Sequence, residues 1–184
     1  MSTTGRVSNL TDAEMNNEQR ALAADIAGSR GGVIGGPFAL WLRTPEIGKR
    51  ISHISDRLRT NSAFEKRQVE LIVLIVTRDW KAQYAWTAHA RQALEEGITP
   101  DVVEALRTKQ TPVFTRPDEQ LIYDIFSDLS GKRALADATY KRGIDAFGLN
   151  GMIELVTTAG LYTMISMMLV AFDVPAANGE QTLS

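Results

Sequence analysis

The chain has 184 residues, 44% hydrophobic and 23% charged, which suits one packed domain of ordinary globular composition. Its 20 Lys and Arg are scattered among 22 Asp and Glu for a net charge of −2, which argues against a nucleic-acid partner. Cysteine is absent, excluding disulfides, thiol nucleophiles and dithiol redox chemistry, and two histidines, His53 and His89, are too few for a multi-histidine metal site.

In chain order, residues 1–10 read as a flexible N-terminal tail, polar and without the apolar stretch of a secretory signal, so a cytoplasmic location is expected. Thr11-x-x-Glu14 reads as a capping box that opens a helix through Leu22 and Ile26 to about Gly28. Gly31, Gly32, Gly35, Gly36 and Pro37 break it. With no strand before them and no Lys-Ser/Thr after, they read as a flexible turn and not as a phosphate loop. Phe38 to Leu42 form a short aromatic segment. Thr44-Pro45 starts a helix whose apolar face is Ile47, Ile51, Ile54 and Leu58, with His53 at the surface or the boundary beside it.

Ser62-x-x-Glu65 reads as a second capping box, opening a helix to about Trp80 whose apolar run 69–76 contains one carboxylate, Glu70. The next helix ends at Gly97, and its apolar stripe is Ala82, Ala85, Trp86, His89, Ala90, Ala93 and Leu94. Thr99-Pro100-Asp101 caps a helix carrying Val102, Val103 and Leu106. A connector, 112–117, leads to an amphipathic helix through Leu121, Ile122, Ile125 and Phe126 that ends at Gly131. A helix over 135–147 stops at Gly148, and a last one spans about 151–172. Residues 155–172 are uncharged, but Thr157, Thr158, Gly160, Tyr162, Thr163 and Ser166 dilute the run, so a buried or interface helix is expected and no membrane partner. No strand alternation stands out. The expected fold is all-α, a single-domain bundle of about seven or eight helices over 11–175, with a C-terminal tail at 176–184.

An acid inside a hydrophobic run and a base on a hydrophobic face are both costly to desolvate, so each needs a partner or a purpose. Antiparallel packing of the two helices would bring Glu70 and His89 together as an acid/base pair. Phe38, Trp41, Gln83, Ala85 and Trp86 are candidate pocket residues, and Arg43, Arg67 and Arg78 are candidate anion partners.

The segments GGPFALWLRTPEIG, RQVEL, AQYAWTAHARQALEEGIT and YTMISMMLVAFDVP together resemble the carboxymuconolactone decarboxylase-like superfamily, which includes alkyl hydroperoxide reductase D. In peroxidase-type members a Glu is followed by a Cys-x-x-Cys and a His. Glu70 and His89 fall on the Glu and His with the same spacing, whereas Ala82 and Ala85 fall on the two cysteines. In decarboxylase-type members a carboxylate stands one helical turn before the His, a position that is Ala85 here. The resemblance implies a cofactor-independent enzyme without metal, acting on a small carboxylated lactone or keto acid and assembling as a trimer or hexamer. The alternatives are a non-catalytic binding or structural paralogue, and a peroxidase-related protein in name only, because the dithiol is missing.

Overall fold

The structure is a computed structural model that describes residues 5–29, 31, 32, 34–176 and 183. It is all-α, as the periodicity predicts: α1 (Asn17–Ser29), α2 (Pro37–Trp41), α3 (Pro45–Thr60), α4 (Lys66–Asp79), α5 (Gln83–Glu95), α6 (Pro100–Arg107), α7 (Pro117–Ser127) and α8 (Asp137–Ala171). A π turn, Asp128–Lys132, follows α7. Among the described residues there is no strand beyond an isolated bridge position at Ser8.

Both expected capping boxes are displaced. Thr11 and Glu14 do bond, N–H to Oε2 at 2.8 Å, but they close a turn. The helix starts at Asn17, where Asn16 Oδ1 accepts the Gln19 N–H and Gln19 Oε1 accepts the Asn16 N–H, each at 2.9 Å. Similarly, Ser62 does not cap α4; its hydroxyl donates to Glu154 of α8, whose Oε1 also accepts the Ala63 N–H at 2.7 Å. Glu65 is the cap, in a reciprocal box with Gln68. In each case two competing polar pairs lie within a few residues, and tertiary contacts select between them.

The buried face of α3 is also rotated from the expected one. Ile51 and Leu58 are buried, but Ile47 and Ile54 are exposed and Gly48, Ser52 and Ser55 take the inner positions. Small residues are needed there: a Cβ at Gly48 would lie 2.8 Å from both Leu22 Cδ2 and Trp41 O. His53 is on the surface, 3.4 Å from Asp25.

α4 is the axial helix, with every residue from 68 to 78 buried. Leu71, Val73, Leu74 and Val76 are wholly inaccessible, and each such side chain contributes about 1.5–3 kcal/mol of transfer free energy. α5 folds back along α4 after Lys81 adopts a left-handed turn conformation, φ 52°. The N-terminus of α4 is clamped to α7: Arg67 donates to the buried Glu119, and Gln68 Nε2 donates to Asp118 at 2.7 Å. The two expected C-terminal helices are the arms of α8, separated by a break at Gly148 (φ 67°, ψ 175°).

Two apolar clusters result. One gathers around α4, α6, α7 and the middle of α8, and the other around α1, α2, α3 and the C-terminal arm of α8; Tyr162 packs against both. By length and composition α8 would also cross a membrane: its most apolar window has mean hydropathy 1.6, with 39% of it buried. Core helices of soluble proteins pass the same test. Leu149, Ile153 and Val156, and eleven residues further on Met167 and Val170, lie exposed on α8 in two groups, each at spacings of three or four, with Gly160 in open space between the groups.

Of the expected N-terminal tail, residues 5–10 lie against the body: the Arg6 N–H donates to Phe172 O at 3.0 Å, and Val7 and Leu10 pack on the second cluster. Residues 1–4, 177–182 and 184 of the two expected tails fall outside the described residues. Leu183 is held by Gln83, whose Nε2 donates to its carbonyl at 2.7 Å.

Candidate acid/base site

Glu70 stands in the first turn and a half of α4, and His89 in the middle of α5. The antiparallel packing of these helices sets His89 Nδ1 2.7 Å from Glu70 Oε2, with both side chains mostly buried. An ionised carboxylate only accepts, so Nδ1 carries the proton of this bond and Nε2 of a neutral ring keeps its lone pair. Tyr162 of α8 meets the imidazole edge to face, with centroids 5.2 Å apart and planes at 90°. The ring is thus fixed by a hydrogen bond on one side and an aromatic contact on another.

His89 opens into a cavity of about 450 Å³ lined by α1, α2, α3, α5 and α8. Glu70 does not line that cavity; it borders a second one, of about 630 Å³. Arg59 and Gln92 border both. The first volume suits a small organic ligand.

Of the expected pocket residues, Phe38 and Ala85 line the first cavity. Trp41 is core, stacked edge to face on Phe38 at 5.4 Å, and Trp86 is core at 2% exposure. Indoles at helical spacing here serve packing, because both face the inside of the bundle. Gln83 is committed to Leu183. Ala82 is buried in the second cluster and does not reach the cavity. The three candidate arginines are elsewhere: Arg43 bonds Ser8 O at 2.9 Å, Arg67 bonds Glu119 and Gly97 O, and Arg78 bonds Leu106 O at 3.2 Å.

In their place the cavity has Arg59, with Ser55, Tyr84, Gln92 and Tyr162. Gln92 was open to recognition as the residue three positions after His89 on one helix face. Arg59 gave no signal, since it ends a polar stretch of α3 that resembles any solvated face. Tyr84 is set by the glycine segment. A Cβ at Gly36 would lie 2.3 Å from its ring, and one at Gly35 2.9 Å from its hydroxyl. Gly36 also has φ 55°. Gly35 and Gly36, at the end of the expected flexible turn, are therefore fitted against Tyr84, whereas Gly31 and Gly32 have open space where a Cβ would be. Burial pushes the Tyr84 phenol up, which keeps it a neutral donor at physiological pH.

Among the described residues, no group of three or more His, Asp and Glu side chains is placed to hold a metal. The pair can accept and return a proton at Nε2, with Glu70 stabilising the imidazolium that forms. Compared with known proteins, the sequence matches no family model and no curated protein.

Proposed function

We propose that this protein is a cofactor-independent acid/base enzyme acting on a small carboxylated lactone or keto acid, related to the carboxymuconolactone decarboxylase-like superfamily and working in the cytoplasm. The observation that carries the reading is the 2.7 Å His89–Glu70 bond, with the imidazole lining a ligand-sized cavity that the carboxylate does not line. In isomerisation, Nε2 takes a proton from a carbon next to a carbonyl, the C–H electron pair becomes an enolate, and the imidazolium returns the proton to another carbon. In decarboxylation of a β-keto acid, the C–C bond breaks, its electron pair passes to the ketone as an enolate, CO₂ leaves, and a protonated His89 supplies the proton to carbon. Positioned acid/base groups contribute about 10²- to 10⁴-fold.

The test is deuterium incorporation and CO₂ release, followed by NMR, on a panel of γ-lactone and β-keto acids with His89→Ala beside the wild type. A loss of at least about 10²-fold in the variant, with its fold intact, is expected. Full activity in that variant ends the proposal. Ala85, where decarboxylase-type members carry a carboxylate, favours a second reading as a binding protein without turnover; saturable binding with no exchange on any compound would establish it.

Self-association belongs to the same proposal. Within each exposed group on α8 the residues keep the three-four spacing of a helix–helix seam, and Gly160 between the groups leaves room for close approach. The occupant of this row is a second copy of this chain, within a trimer or hexamer, and α8 is accordingly a core and interface helix.

A further inference from the structure

The described residues that line the first cavity include one side chain of fixed charge, Arg59, and no Asp or Glu. Phe38, Tyr84 and Tyr162 supply an aromatic wall, and Ser55 and Gln92 supply polar groups. Arg59 is ion-paired with Asp56 and also borders the second cavity with Glu70, Glu95 and Glu96. On the side of the first cavity, however, it is the charged group that a ligand meets among the described lining residues, and a guanidinium there favours an anion. Arg59 is also held in place. Its Nη2 donates to Ser29 O at 2.9 Å and lies 3.3 Å from Asp56 Oδ1. Among the described residues these hydrogen bonds use Nη2 alone.

We infer that Arg59, with Gln92, is the anchor for a carboxylate of the ligand, and that this carboxylate is one the reaction keeps. The inference rests on the acid/base reading of His89. Gln92 stands one turn from His89 on the same face of α5, so a carboxylate held between Arg59 and Gln92 sets the carbons next to it over the imidazole. A carboxylate in charge-assisted bonds to a guanidinium is stabilised as the anion. Losing it as neutral CO₂ would forfeit those bonds as the C–C bond breaks, so the anchor retards departure of the group it holds. The substrate class narrows accordingly. For proton transfer or isomerisation it is a small acid with one carboxylate. For decarboxylation it is a diacid, one carboxylate at Arg59 and the other lost near His89.

The experiment titrates the full chain with 4-oxopentanoate and its methyl ester, and with benzoate and benzamide, by ligand-detected NMR. The variants are Arg59→Gln, Arg59→Lys and His89→Gln, each checked by thermal melting because Arg59 also ties α3 to the end of α1. Each acid is expected to bind the wild type about 10- to 100-fold more tightly than its neutral partner, the range for a charge-assisted hydrogen bond. Arg59→Gln removes that preference, Arg59→Lys keeps part of it, and His89→Gln leaves it unchanged. Equal binding of acid and neutral partner, an undiminished preference in a folded Arg59→Gln variant, or no binding of either acid at millimolar concentration overturns the inference. Deuterium exchange at C3 of 4-oxopentanoate separates the two proposals. Arg59-dependent binding without exchange keeps the anchor and removes the acid/base reading, whereas His89-dependent exchange with no acid preference does the reverse.

Discussion

At the scale of single residues, Gly36 has two independent reasons to be glycine. Its φ of 55° costs an L side chain about 1–2 kcal/mol, and a Cβ would meet the Tyr84 ring. Gly36→Ala is expected to lower stability by about 2–3 kcal/mol, a fall of roughly 5–10 °C in Tm by calorimetry, and to displace the phenol from the cavity. Gly31 also lines the cavity at positive φ, 63°, but nothing lies within 4 Å of the position its Cβ would take, so Gly31→Ala carries only the backbone cost. The sequence made Glu70 and His89 legible because a charge within an apolar pattern stands out. It made Arg59 and Tyr84 illegible because their meaning comes from what lies opposite: a glycine segment and the end of α1 that only the folded chain brings near. Trp41 and Trp86 misled for the converse reason, since aromatic pocket walls and aromatic cores share one periodicity.

At the scale of elements, the junction of α4 with α7 is a cluster of ions. Glu119 is 1% exposed and pairs with Arg67, so Glu119→Gln leaves a largely buried guanidinium without its counter-charge. A loss of about 3–5 kcal/mol is expected from urea unfolding. Beside it, the Arg116 guanidinium, with help from Gln68, holds the Asp118 carboxyl below its ordinary value. A depressed carboxyl stabilises the fold above the unfolded-state value, near 3.9, and loses that contribution as the pH falls further toward the folded-state value. The stability gap between wild type and Asp118→Asn should therefore be full at pH 7 and shrink below about pH 4, which urea midpoints at the two pH values would check. Helix existence was legible here from period and length, as at α4, α6 and α7. The start of α4 was not, because Ser62 is by type the better N-cap than Glu65, and the claim of Glu154 on Ser62 comes from another helix. In α8 the break at Gly148 was legible from the residue itself. Its φ and ψ fall in a region open almost only to glycine. Gly148→Ala meets no side chain there, so its expected cost of about 1–3 kcal/mol is purely backbone strain.

At the scale of the molecule, the apolar row on α8 was legible only as an excess of apolar residues in the last helix. Its direction is a property of the fold, since the opposite side of the same helix packs on α4, α7 and α2. Met167→Glu in the C-terminal part of the exposed row should leave the monomer folded and reduce the proposed assembly to monomers, read by light scattering at micromolar concentration. A wild type that is already monomeric there would remove the proposed assembly.

The two apolar clusters share Tyr162 at their border, and the cavity lies along that border. A globule divided this way has a seam. Opening along it would loosen α1, α2 and α3, with the C-terminal arm of α8, from the α4–α7 half at the cost of the contacts to Ala82 and Ala85, a sub-global fluctuation cheaper than unfolding. A compound seated against Phe38 and Ser55 on one bank and His89 on the other would act as a rivet. Amide hydrogens on both banks would then slow their exchange together when the cavity fills, although only a few of them stand near it.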